Sequence, residues 1–146
     1  MAKRDLAALL GDNRDGLAIG LEAKAYAATT AGTAVDMAAS ATLPGSEGLV
    51  CVINAGVCTD GKYVVTLTES DDNSTFTAVA ATDISVDTTA TINAAADQTV
   101  QLIGYIGDKR YVKPVITESS AGSTGVILSA TMVRGFPRHL GKNLMA

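Results

Sequence analysis

The residue types able to do chemistry are few in this chain, and their spacing assembles no catalytic group. His139 is the single histidine and stands between Arg138 and Leu140. A Ser-His-Asp or Cys-His arrangement needs a nucleophile motif around that base, and none is present. Cys51, Cys58 and His139 match no zinc-ligand spacing. No phosphate-cradling loop or dinucleotide fingerprint occurs. Asp71-Asp72-Asn73 is the best candidate for a cation, because clustered oxygens suit calcium. It lacks the alternation and the distal bidentate Glu of a calcium loop, so a hydrogen-bonded turn is expected, with no metal and no cofactor. Arg134, Arg138, His139 and Lys142 form a basic cluster suited to an acidic neighbour or a phosphate, and Phe136 and Leu140 inside it favour docking on a partner.

The element that must carry these groups is a strand bracketed by two turns, Lys62–Val79. Tyr63, Val65 and Leu67 alternate with Lys62, Val64, Thr66 and Thr68, the two-residue period of a half-buried strand. Glu69–Ser74 is a polar run whose short side chains bond their own backbone, and Phe76 and Val79 restart the apolar pattern. Thr59-Asp60-Gly61 precedes the strand with the Asp-Gly pair that two-residue hairpins prefer.

Around it the chain reads as about eight short strands. Leu21–Thr29 is a first strand, with Ala23, Ala25 and Ala27 on one face and Glu22, Lys24 and Tyr26 on the other; Thr33–Ala39 is a second. A helix through Leu17–Ala41 is the rival reading, since Ala favours helix, but the repeated Thr and Gly oppose it. Leu43-Pro44-Gly45 is a turn. Gly48–Ala55 carries no charge, as expected of a strand covered on both faces. Short strands follow around Ile84, Val86 and Ile92, then Thr99–Ile106 and Arg110–Thr117. Pro114 cannot donate to a ladder and places that strand at an edge or a bulge. Gly125–Arg134 is the last strand. The pattern predicts an all-β fold, an antiparallel β-sandwich or jelly-roll-like barrel with an extended N-terminal arm. Its parts are an arm over residues 1–20, a sandwich over 21–134 and a basic tail over 135–146. Asp5–Leu10 adds one helical turn to the arm.

Composition fits that architecture. The 146 residues suffice for one domain with one core. Apolar residues make up 47% of the chain but aromatics only 4%, with no Trp, so small and β-branched side chains must fill thin layers. That scarcity argues against stacking of bases or sugars. Between Ala25 and Asp108 ten acidic residues face one basic residue, Lys62; from Lys109 onward six basic residues face one acidic, Glu118. The asymmetry suits head-to-tail assembly, and the acidic body would repel nucleic-acid phosphate. If Cys51 and Cys58 share one regular strand, their odd separation puts them on opposite faces, so free buried thiols are expected, as in a reducing cytosol. No apolar run has the length of a membrane span or the form of a signal peptide.

Three segments carry a resemblance: Leu67–Ile84 (LTESDDNSTFTAVAATDI), Val100–Thr117 (VQLIGYIGDKRYVKPVIT) and Gly135–Leu140 (GFPRHL). In order and spacing they resemble small structural proteins encoded beside the major capsid gene in tailed bacteriophages, over Gly48–Leu140. The resemblance implies a non-enzymatic head decoration or cement protein, made in the host bacterial cytoplasm and placed on the virion's capsid surface. Its expected partners are the major capsid protein and two further copies in a homotrimer, with no nucleic acid and no membrane. The expected contacts are Leu6, Leu9, Leu10 and Leu17 of the arm with Arg134, Phe136, Arg138 and Leu140 of the tail, which combine large apolar groups with charge and lack an internal pairing pattern. The alternatives are a carbohydrate-binding β-sandwich module and a component of the head–tail joint or tail.

Overall fold

The computed structural model describes residues 17–38, 46–87 and 89–137, without the side chains of 46, 47, 136 and 137. Among these residues the chain is all-β, two antiparallel sheets packed face to face and not closed into a barrel. β1 (Leu17–Tyr26), β10 (Val126–Pro137), β4 (Ser46–Cys58) and β8 (Val100–Tyr105) form the first sheet in the spatial order β1-β10-β4-β8. The second is centred on β5 (Lys62–Ser70) and β9 (Tyr111–Ser120). β2 (Thr30–Ala31) and β3 (Val35–Asp36) pair with the outer side of β9, and β6 (Thr77–Ala78) and β7 (Ala90–Asn93) with that of β5.

The core lies between the sheets. Leu49, Cys51, Ile53, Ile103, Leu128 and Met132 face Tyr63, Val65, Leu67, Ile92, Val112 and Ile116, all buried. The scarce aromatics are spent here: Tyr26, Tyr63 and Tyr105 are buried. β5 alternates as its sequence predicts, with Tyr63, Val65 and Leu67 inward and Lys62 exposed.

Several expectations are corrected. Asp60-Gly61 does turn the chain, and Gly61 takes the positive φ (81°) that makes Gly the favoured residue there. However, β4 and β5 belong to different sheets, so the turn is a crossover and not a hairpin. The first strand begins at Leu17, inside the expected arm, and its faces are not those of a regular strand. Between Ile19 and Leu21, and again between Leu21 and Lys24, β1 spends one residue more than β10. Each bulge shifts the alternation. Leu21 and Tyr26 both point inward, while Glu22–Ala25 are exposed. A similar extra residue in β4, opposite Val126–Leu128, puts Cys58 on the inward side with Cys51. Both thiols are buried and free, as expected, though not because they lie on opposite faces; seven residues of strand hold them about 23 Å apart. The Thr33–Ala39 strand shrinks to β3. β9 extends to Ser120 and β10 to Pro137, so Gly135–Pro137 continue the sheet instead of opening the tail. The helical turn expected at Asp5–Leu10 and the turn at Leu43–Gly45 lie outside the described residues.

Pro114 is neither at an edge nor in a bulge. It sits mid-strand in β9, opposite Leu67 of β5. Its carbonyl accepts the Gly32 N–H (2.8 Å), at the gap between β2 and β3. In an antiparallel strand a residue's N and O point to the same side. The missing donor of Pro114 therefore faces the place where the neighbouring strand is interrupted.

Candidate interaction surface

Among the described side chains, the outward positions of the four-stranded sheet form a surface with no charge on β4, β8 or β10. The register aligns them in rows: Leu17, Val133, Val50 and Gly104, the last covered by Ser85 and Val86; then Ile19, Thr131, Val52 and Leu102; then Ser129, Asn54 and Val100. Ile127 and Val57 continue the face at its far end. Ile19 is 66% exposed, Val100 63% and Ile127 56%. All the large apolar side chains recorded as strongly exposed belong to this sheet or to the segments beside β8, Val86 and Ile106. At its bulged end β1 carries the exposed charges of Glu22 and Lys24. An apolar cleft of about 190 Å³ opens at one end, with Val50, Tyr105, Ile106 and Val133 in its walls.

The second sheet behaves otherwise. Its outward positions carry Lys62, Thr66 and Thr68 on β5, Lys113 and Thr117 on β9 and Thr91 on β7. Lys113 holds its ammonium 3.7 Å from the centre of the Phe76 ring. That is the polar-out alternation usual for a sheet with one wet face. The two outer faces of one molecule thus differ in kind.

Leu17 lies on the uncharged face, 46% exposed. Arg134, expected in a basic docking tail, does not: it is 8% exposed on the inward side of β10, and its guanidinium donates to the Asp36 carbonyl (2.6 Å). The Phe136 backbone belongs to β10; its side chain, and Leu6, Leu9, Leu10, Arg138 and Leu140, lie outside the described residues. The chain enters β1 and leaves β10 at the same end of the first sheet, since Leu17 pairs with Val133 and Pro137 with Ser46.

Part of the charge asymmetry is met inside one chain. Arg110 donates twice to Asp36 (2.9 and 3.1 Å), which holds that carboxyl below the usual carboxylate range. Lys109 reaches Asp71 (2.6 Å) and Arg134 the Asp36 backbone. Lys109 and Arg110 thus meet the early acidic Asp71 and Asp36 by folding, while Arg134 meets a backbone carbonyl.

The Glu69–Ser74 loop is the hydrogen-bonded turn expected. The Asp72 carboxylate accepts the Ser70 hydroxyl (2.7 Å) and the N–H groups of Ser74 and Thr75 (both 2.8 Å), bonds that hold its pKa down at about 2. Asn73 adopts φ 58°, a region Asn tolerates. Asp60 was not singled out in the sequence as more than a turn residue. Its carboxylate accepts the N–H groups of Gly125 (2.6 Å), Thr124 and Ser123 and the Ser123 hydroxyl, again holding the pKa at about 2. It ties the β4–β5 crossover to the β9–β10 loop. A buried pair joins the sheets elsewhere: the Tyr105 hydroxyl donates to Glu69 (2.8 Å) and accepts the Lys109 N–H (3.0 Å). Burial pushes the Tyr105 phenol up, and pushes the Cys51 thiol up to about 12, leaving that thiol protonated and unreactive. Among the described residues no helix is long and apolar enough to cross a membrane.

The chain matches no family model, no curated protein and no solved structure.

The surface was missed in the sequence for a definite reason. The lack of charge in Gly48–Ala55 implies cover on both faces, and among the described residues one of those covers is absent. The signal was there in the strands LAIG, GLVCVINAGV, TVQLIGYI and GVILSATMV, which place apolar residues at both parities.

Proposed function

We propose that this protein is a non-enzymatic structural component of a bacteriophage virion, a decoration or cement protein that binds the outer capsid surface and stabilises the head. The observation that carries the reading is the uncharged outer face of the β1-β10-β4-β8 sheet, because a surface of that kind belongs to a protein that works inside an assembly. The order of the ESDD, IGYIGDKRYV and GFPRH segments supports the viral setting. The termini give the assembly its polarity: residues 1–16 and 138–146 meet the sandwich at one end of the first sheet, and the apolar Leu6, Leu9, Leu10 and Leu140 are the proposed grip on the capsid protein. Each such side chain buried on the shell contributes about 1.5–3 kcal/mol before ordering costs.

A sugar-binding module gains no support from the described aromatic side chains. Tyr26, Tyr63 and Tyr105 are in the core, Tyr111 lies under Arg110, and Phe76 under Lys113.

The test is co-sedimentation of the purified protein with capsids that lack it, followed by heating of the bare and loaded heads. Saturable binding at a fixed ratio to the capsid protein, with a higher rupture temperature, is expected. Failure to bind intact heads while binding isolated tails or connectors would move the protein to the head–tail joint.

A further inference from the structure

We infer that the uncharged face of the four-stranded sheet is covered by a second copy of this chain, the two sheets packing face to face about a two-fold axis. This rests on the assembly reading above and names the partner for one of its surfaces, leaving the termini for the capsid. A two-fold contact makes a dimer, in place of the three-fold trimer expected from the sequence.

Size is the first argument. Four strands at ~4.8 Å spacing and about 25 Å of strand length give a projected footprint on the order of 500 Å². Ile19, Leu102 and Ile127 stand exposed within it, and the footprint is of the order of the ~800 Å² per partner of a standard interface. Charge is the second. Residues 17–137 hold twelve acidic against six basic side chains. Two such bodies repel least through a patch that carries little charge, and the described outward positions of β4, β8 and β10 form one. A copy presents, by symmetry, the same apolar rows at the same spacing.

Register is the third. Asn54 is exposed between the Val52 row and the Ile127 end of the face, flanked by Ser129. An amide carries both donors and an acceptor, so Asn54 can pair with its own counterpart or with the copy's Ser129 and Thr131 hydroxyls. Aligned sheets pack about 10 Å apart with interleaved side chains, and a polar pair within an apolar layer sets one registration over its neighbours.

The test is light scattering of the full chain at 10–100 µM, on the order of the concentrations at which weak dimers form, together with Ile19→Lys, Ile127→Lys and the milder Ile127→Thr. These side chains lie outside the core, so thermal melting of each variant checks that the sandwich still folds; Ile127→Thr keeps a β-branched side chain should the lysine variants fail to fold. A wild-type mass twice the 14.8 kDa of one chain, falling to one chain in the folded variants, is the expected result. A wild-type monomer, a trimer, or a dimer that survives the substitutions would overturn the inference. Capsid co-sedimentation of the same variants separates the two claims. A wild type that is monomeric yet binds heads ends the dimer and keeps the decoration role. A dimer that binds no head keeps the pairing and ends that role.

Discussion

Asp60 shows how one side chain can close a fold at a point where no strand ladder reaches. Its carboxylate gathers three successive N–H groups of the β9–β10 loop, ending at Gly125, whose φ of 83° and lack of a side chain let the loop pass the Tyr26 carbonyl. Because the folded pKa is depressed to about 2 by those bonds, the stability it contributes is present above the unfolded carboxylate value of about 3.9. It is lost as pH falls through the folded value. Asp60→Asn is expected to lower the melting temperature at pH 7 and to flatten its decline between about pH 4 and pH 2; Asp72, depressed alike, keeps part of that slope. An unchanged acid limb in Asp60→Asn would show that the loop is held by other bonds. Tyr105 makes the second residue-scale case. Tyr105→Phe leaves the buried Glu69 carboxylate without its cross-sheet donor, and urea unfolding should show a loss of about 1–3 kcal/mol.

At the scale of elements, the turn at Glu69–Ser74 was legible from its residue types, because the bonds that build it are local. Asp72→Ala is expected to lower the melting temperature, since three donors lose their acceptor. Millimolar calcium should leave the wild-type melting temperature unchanged; a rise of several degrees would mean that the loop binds the ion. The strands of β5 and β9 were legible for the same reason, their alternation being regular. What the sequence hid are the breaks in alternation. The extra residues in β1 and β4 turn Tyr26 and Cys58 inward, and such bulges are set by the partner strand and not by the residues that bulge. Pro114 was read as an edge signal because the rule concerns its missing N–H; the structure satisfies that rule with a gap between β2 and β3, which no local pattern encodes.

For the whole molecule, the β-sandwich followed from turn spacing and composition, whereas the character of its two outer faces did not. A strand with apolar residues at both parities reads as doubly covered, and only the fold shows that no second cover is present among the described residues. The termini belong to the same scale. Removing residues 1–16, which stops short of β1, is expected to leave thermal melting within a few degrees of the full chain while abolishing co-sedimentation with bare capsids. Full binding by the truncated protein would place the grip elsewhere on the sandwich.

The most direct test of the proposed virion role is a cryo-electron microscopy reconstruction of phage heads loaded with this chain. The expected result is the sandwich on the outside of the shell in hundreds of copies, with the end that carries Leu17 and Pro137 towards the capsid and the β1-β10-β4-β8 face covered. A shell without the sandwich, or one on which that face stands open to solvent and the opposite end meets the capsid, would contradict it.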